Sequence, residues 1–385
     1  MIAAARLFPV VAVELTSVDH TYAWDPVSAP ELLRITVFQE EDPQTRPRPL
    51  VARRIAQVLD AMRPRAVAIP GWSEPFALAA LRWCRGSATP AVLMSESQAD
   101  DATRSCVTEA VKRRLVALFS AALAGGAPQV AYLRKLGMPA DRVFQGYDVV
   151  DNDHFSRGAA AARANAADNR RRLGLPDRFF LASNRFIEKK NLFRLVEAFA
   201  RFRALAPRSG WKLVLLGDGP LKPAILAAAE AHSLGTDLLL PGFIQYHQLP
   251  AYYGLAAAFV HASTVEQWGL VVNEAMAAGL PVLVSNRCGC AADLVREEDN
   301  GFTFDPLQTE TLAGLMLRIA SDGAGRARMG EASRGIIAEW SPQRFGAGLN
   351  QALGAAAAVP RPHLADAALL RLLLRRSPAY QPVQR

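Results

Sequence analysis

What most constrains the fold of this 385-residue chain is a repeated alternation of short apolar runs, too brief for helices, with stretches of helical periodicity. Runs at 10–15, 35–38, 66–69, 91–94 and 121–124 read as buried strands, and stretches at 50–62, 75–85 and 103–119 fit between several of them as helices. Strands apolar on both faces and linked by helices pair in parallel, so the first half predicts a parallel sheet covered on both sides. A second series begins at Phe179 and runs through 212–217, 238–240, 258–261, 282–285 and 301–304. The expected fold is therefore α/β, with two Rossmann-like domains facing across a cleft. Beyond Gln308 the pattern is helical, and Pro342 suits a first helical position after a Ser341 cap. The predicted boundaries are a first domain over 1–155, a linker helix within 156–177, a second domain over 178–345, and C-terminal helices and tail over 346–385. The linker rests on 158–172, rich in Ala, Arg and Asn and without an apolar stripe to bury.

Composition narrows the partners. With 51% apolar and 21% charged residues the chain has ample core material, and a formal charge of +8 favours anionic ligands or surfaces. Nucleic acid fits least well: there is no Cys/His finger, no aromatic RNA-binding run and no basic recognition arm. Four cysteines, Cys84, Cys106, Cys288 and Cys290, make no disulfide framework in a chain of this length, which points to a reducing cytoplasm. Cys288-Gly289-Cys290 lacks the spacer and second ligand pair of a metal site, so small side chains beside the ligand are the better reading. No apolar run is long enough to span a bilayer, and the first eight residues are too short for a secretory signal. Peripheral contact with an anionic membrane is suggested by Lys112-Arg113-Arg114 on a stretch carrying Val107, Val111, Leu115, Leu118 and Phe119. A core stripe with a charged outer face explains the same residues. The Arg- and Leu-rich stretch 371–376 poses the same choice.

The segment that speaks most directly of chemistry is 266–293. Glu266-Gln267-Trp268-Gly269 reads as a loop, 270–278 as a short helix ended by Gly279 and Pro281, and 282–285 as a buried strand. The amides of Gly269, Leu270 and Val271 then form a helix N-terminus, where free donors and the positive dipole end favour a phosphate or diphosphate. Two carboxylates beside an anion site repel it unless they bind hydroxyls, so Glu266 and Glu274 are candidates for sugar or ribose hydroxyl groups.

This spacing resembles the E-x7-E signature of retaining GT-B glycosyltransferases of the glycosyltransferase family 4 (group 1) type. Three further stretches agree in order over about 175–305. Ser183-Asn184-Arg185-Phe186-Ile187-Glu188-Lys189-Lys190-Asn191 is similar to the family's G-R-x-x-x-x-K-G turn, with Asn184 and Asn191 where glycines are usual. Gly217-Asp218-Gly219-Pro220 is similar to its G-x-G-P strand end, and Pro241-Gly242-Phe243-Ile244 to the loop flanking the nucleotide base. The resemblance implies that Arg185 and Lys190 hold the donor diphosphate, that Glu274 holds the ribose and that Glu266 contacts the donor sugar. It further implies donor binding by Gly217, Gly219, Phe243, Ile244, Gly269, Leu270 and Val271, with anomeric configuration retained, no metal and no other cofactor. The implied partners are a nucleotide-sugar donor and a saccharide or lipid-linked acceptor, and the implied setting is bacterial surface polysaccharide assembly.

Residues 146–155 resemble the family's N-G-V-D-x-x-x-F link out of the first domain. Only nine residues precede the strand at 10–15, so the first domain is expected to lack its first strand and glycine loop. Because 3–8 reads as the tail of a helix, the natural start is expected upstream. On the acceptor side the candidates are Glu96 and Trp72, each at a strand end, with turn capping and core packing as their ordinary alternatives. Asp151-Asn152-Asp153 has a metal-binding form but follows no suitable strand, and a hinge turn explains it better. Rival readings are a non-catalytic nucleotide-sugar-binding or scaffold protein and a phosphorylase, the latter without its cofactor lysine signature. A hydrolase acid/base pair would leave the helix-end anion site without a purpose.

Overall fold

A computed structural model of the chain describes residues 1–17, 25, 29–38, 46–356 and 364–376. By their contacts the described residues divide into two compact units, one of those within Met1–Asp148 together with those from Pro342 to Arg376, the other Val149–Ser341.

The first unit holds β1 (Val11–Glu14), β2 (Leu33–Thr36), β3 (Val67–Pro70), β4 (Ala91–Ser95), β5 (Ala121–Ala124) and β6 (Val143–Gln145). The pair β1-β2 stands as its own parallel sheet, and β3-β4-β5-β6 form a four-stranded parallel sheet in consecutive order. Consecutive right-handed crossovers place helices Pro75–Ser87, Cys106–Val116 and Ala127–Lys135 on one face. Strand alternation agrees: Leu93, Ala122 and Ala124 share a core with Leu81, Leu115 and Leu133 of those helices. Leu123 points to the opposite face and meets helix Pro342–Ala355, where a Cβ added at Gly348 would lie 2.9 Å from its Cδ1. The chain therefore returns from its C-terminal part to cover the bare side of this sheet. That corrects the boundary expected at 345/346, because covering that face makes Pro342–Ala355 part of the first unit. Helix Leu364–Arg376 adds Leu370 and Leu374 to the same core.

The amphipathic stripe near Lys112 is mainly core. Leu115, Leu118 and Phe119 are buried, while Lys112 lies over the Tyr132 ring and pairs with Glu109. Trp72 is buried in this core at 8% exposure, which gives it a packing role. The expected tail at 377–385 lies outside the described residues.

The second unit carries β7 (Phe179–Ser183), β8 (Lys212–Leu216), β9 (Leu238–Gly242), β10 (Ala258–His261), β11 (Val282–Ser285) and β12 (Gly301–Phe304). Their order, β9-β8-β7-β10-β11-β12, is that of a dinucleotide-binding sheet, and every pairing is parallel. Strand order reverses between β7 and β10, so a crevice opens at their carboxyl ends.

The expected linker helix is corrected as well. Helix Asn152–Ala164, capped by Asp151 accepting from the His154 amide at 3.0 Å, buries Phe155, Ala159 and Ala162. Its stripe is built of small residues, which is why composition hid it. A Cβ at Gly158 would lie 2.5 Å from Pro250, and one at Gly254 would lie 2.7 Å from the Ala159 backbone. Close packing against helix Leu249–Leu255 therefore needs glycine at both. Only Ala166–Leu173 fits the solvated expectation, with no buried residue.

Candidate active site

The chain leaves β7 into 184–191, and its path there is set backbone against backbone. Asn184 N donates to Leu216 O at 3.0 Å and Phe186 N to Asp218 O at 2.8 Å, with Phe186 fully buried between them. Gly217 and Gly219, at φ of 119° and 152°, make this approach possible. A Cβ on the first would fall 1.8 Å from Asn184 O and one on the second 2.8 Å from Phe186 O. Both glycines thereby fix Arg185, the residue between those two anchors.

Asn191, expected as glycine, takes the left-handed conformation at φ 57°. Its amide then does what glycine could not: Nδ2 donates to Ala262 O at 3.1 Å and Pro306 O at 2.8 Å. Together with Thr264 N donating to Lys189 O at 2.9 Å, this laces the loop after β7 to the loop after β10.

That lacing brings Lys190 onto Glu266. One carboxylate oxygen, Glu266 Oε2, receives the Lys190 ammonium, the Ser263 hydroxyl at 3.1 Å and His261 Nε2 at 3.2 Å. The Lys190 and Glu266 side chains are each 13% exposed, and His261 is fully buried. Burial pushes the Glu266 carboxyl upward, but Lys190 and the His261 bond outweigh it and hold the group well below the usual carboxylate range. Burial, with Lys190 adding to it, pushes His261 down against the upward pull of Glu266, so the ring is neutral. A carboxylate only accepts, so His261 Nε2 carries the hydrogen. Nδ1 has no partner among the described residues.

Beneath the loop, Gly289 N donates to Glu266 O at 3.0 Å and Cys290 N to Trp268 O at 3.1 Å. Trp268 is buried beside Trp340 and donates from Nε1 to Asn273 Oδ1 at 2.9 Å. Cys288 and Cys290 are buried thiols outside any disulfide, and burial pushes Cys288 further from ionising. They serve as small side chains under the loop. Gly269, at φ 106°, opens helix Leu270–Ala277, and Leu270 at its first position is 40% exposed. Glu274 on this helix accepts from the Tyr253 hydroxyl at 2.7 Å. Burial pushes its carboxyl up to about 7, against the lowering effect of that bond. At the end of β9, Gly242 turns at φ 92° and accepts from Gly217 N at 2.8 Å; Phe243 follows at 37% exposure and Ile244 packs on the core.

The second unit thus assembles Lys190 with Glu266, places Arg185, Gly217 and Gly219 in adjoining loops, and supports Glu274 through Tyr253. Glu96 belongs to the first unit, where it is hydrogen-bonded to Asp148. Asp148 is 3% exposed, and burial first and Glu96 second hold its carboxyl well above the usual range. Sequence reasoning missed His261, Ser263, Tyr253 and Asp148. The available signal was His261 itself, one polar residue in the otherwise apolar run of β10. Asp151 caps a helix, in keeping with a turn.

Residues 165–335 match the family described as Glycosyl transferases group 1. The fold is GT-B: the structure of Anabaena HepE in complex with UDP superposes with a TM-score of 0.68 at 18% identity, over 84% of this chain and 86% of that one. Alpha-monoglucosyldiacylglycerol synthase of Acholeplasma laidlawii is 35% identical over 100 residues, 26% of this chain and 25% of that protein. Alpha-D-kanosaminyltransferase of Streptomyces kanamyceticus is 29% identical over 201 residues, 51% of this chain and 50% of that protein. The chain spans half or less of the length of these curated relatives. Among the described residues no helix is long and apolar enough to cross a membrane.

Proposed function

We propose that this protein is a retaining glycosyltransferase of the family 4 type, moving a hexose from a nucleotide-sugar donor to a saccharide or lipid-linked glycan on the cytoplasmic side of a bacterial membrane, in surface polysaccharide assembly. The observation that carries the reading is the meeting of Lys190 and Glu266 at the switch point of a dinucleotide-type sheet, beside Arg185 and the amide end opened by Gly269. As the anomeric carbon–oxygen bond breaks, its electrons pass to the leaving diphosphate, the acceptor oxygen bonds the anomeric carbon, and the acceptor's hydroxyl proton passes to the departing diphosphate oxygen. Arg185 meets the new charge with a planar fork, Lys190 with a point charge, and the helix amides with fixed dipoles. Each ion pair at about 4 Å contributes roughly 4 kcal/mol at an effective dielectric near 20, so two cations are a major effect. Lys190 already holds Glu266, and the diphosphate adds a second anionic claim on the same ammonium. Glu274 accepts from ribose hydroxyls, Phe243 and Ile244 flank the base, and Glu96 orients the acceptor. The match of 165–335 to the Glycosyl transferases group 1 family, sugar-transferring enzymes among the relatives, and a neighbour solved with UDP support the reading.

The test is a thermal-shift panel of nucleotide sugars followed by release of UDP or GDP from the donor that stabilises most. Turnover that disappears in Arg185→Ala and Glu274→Ala is expected. Stabilisation without release for any donor and acceptor would leave a binding or scaffold protein.

A further inference from the structure

We infer that the first unit holds a second anion site, remote in sequence from the donor motifs, which takes a phosphate-bearing ligand with an apolar portion. A cavity of about 690 Å³ lies where the start of helix Arg48–Met62 meets helices Pro75–Ser87 and Leu364–Arg376. Arg46, Arg48, Arg82, Arg371 and Arg375 line it, with Pro47, Pro49, Ala52 and Leu374 between them. No carboxylate is among these lining residues.

Five guanidinium groups around one cavity are an unusual choice. Lysines crowded this way could shed protons to relieve repulsion, whereas arginine stays charged. The remaining relief is an anion, and planar forks suit the oxygens of a phosphate. Arg82, Arg371 and Arg375 are exposed and enter no ion pair among the described residues, so their charge faces the opening. Arg46 and Arg48 are used otherwise: Arg46 lies over the Phe38 ring at 4.9 Å, and Arg48 donates from Nη1 to Arg375 O at 2.9 Å, pinning the last turn of one helix to the first turn of another. Helix Arg48–Met62 adds its own positive end, with no side-chain cap and no acid in its first turn. The proline, alanine and leucine walls call for apolar substance beside the phosphate. A soluble phosphate ester and a lipid headgroup share this chemistry.

Calorimetry at low ionic strength tests the site with inorganic pyrophosphate, using the full chain carrying Arg185→Ala and Lys190→Met so that the candidate donor site contributes nothing. Adding Arg82→Ala, Arg371→Ala and Arg375→Ala should weaken pyrophosphate at least tenfold, with the melting temperature unchanged because all three are exposed. A parallel sedimentation with phosphatidylglycerol vesicles, and phosphatidylcholine as control, identifies the source. Vesicle binding lost in the triple variant assigns a lipid phosphate, and pyrophosphate binding alone assigns a soluble one. The inference is overturned if the triple variant binds both probes as before, or if the native arginines bind neither. It is also overturned if pyrophosphate binds only after Glu40→Gln, Glu41→Gln and Asp42→Asn, since the chain's own acids would then occupy the arginines. None of these outcomes depends on glycosyl transfer.

Discussion

The two units are both parallel α/β structures, yet they differ at the carboxyl ends of their strands. In the second unit the strand order reverses, and the loops that leave β7, β8, β9 and β10 are laced to one another by backbone and Asn191 bonds. In the first unit the four strands β3-β4-β5-β6 run in consecutive order, so among the described residues of that sheet the winding does not reverse. Its turn after β3 is open: Gly71, at φ 74°, has nothing within 4 Å of where a Cβ would stand. The contrast teaches where rigidity is placed. In the second unit the loops meet backbone on backbone, with no room for a Cβ at Gly217 or Gly219, whereas the turn after β3 is tied by Gly71 N donating to Met94 O at 2.8 Å and still leaves space around Gly71.

The largest expected effect concerns charge in the laced site. Lys190→Met and Arg185→Ala should each cut sugar transfer by at least a hundredfold, as loss of one preorganised donor does elsewhere, and the pair by more. Lys190→Met also leaves Glu266 without its ion-pair partner, while Glu96→Gln in the first unit should cost less than either. Steady-state release of the nucleoside diphosphate measures this, and a larger loss from Glu96→Gln would reverse the ranking of the two units.

Next in size is a backbone test of the same contrast. Gly217→Ala forces a Cβ 1.8 Å from Asn184 O at a φ that L residues avoid, so about 3 kcal/mol or more of stability should be lost. Gly71→Ala meets the same kind of φ without a clash and should cost roughly 1 kcal/mol. Urea unfolding of both variants decides. Equal losses would mean that lacing is not what separates the units.

How much of this was legible in the sequence follows from what each signal rests on. Strands such as Ala121–Ala124 and Val282–Ser285 are buried on both faces and have few alternatives, so their apolar runs located them directly. Glu266, Arg185 and Lys190 stood out because they sit in ordered motifs, and the fold brings Lys190 onto Glu266. Helix Asn152–Ala164 was misread because its buried stripe relies on Ala and Gly, whose value lies in closeness that hydropathy does not weigh. The division of the chain was hidden too: nothing local in Pro342–Ala355 tells that it covers a sheet made two hundred residues earlier, a matter of tertiary need. Asn191 looked like a departure from a glycine pattern, and only the carbonyls of Ala262 and Pro306 explain it.

A smaller effect should come from Glu274. Its folded carboxyl titrates near 7, above the ordinary value of 4.5, so between those values the folded state keeps a proton that the unfolded state has lost. Stability from this group therefore falls as pH rises through that window, and Glu274→Gln should flatten the fall. Ligand binding runs the other way, because ribose hydroxyls donate to the ionised form. Nucleotide affinity should rise roughly tenfold from pH 6 to pH 8 and lose that rise in Glu274→Gln. Calorimetric titration of UDP or GDP across that range checks both, and a pH-independent affinity in the native protein would remove Glu274 from the ribose.

The smallest effect, and the finest test of the lacing, lies with His261. It touches Glu266 through Nε2 alone, is fully buried, and shares its acceptor oxygen with Lys190 and Ser263. It is therefore a positioning residue. Removing one of three donors costs about 1 kcal/mol, since the other two still hold the carboxylate, so His261→Leu should slow transfer about fivefold. Glutamine can place an amide N–H near the Nε2 position, and His261→Gln should recover most of that loss. Nucleotide affinity should not change in either variant, because Glu266 is assigned to the sugar and Glu274 to the ribose. Equal impairment by leucine and glutamine would make His261 a packing residue, and a loss of nucleotide affinity would place the disturbance in the loop backbone instead.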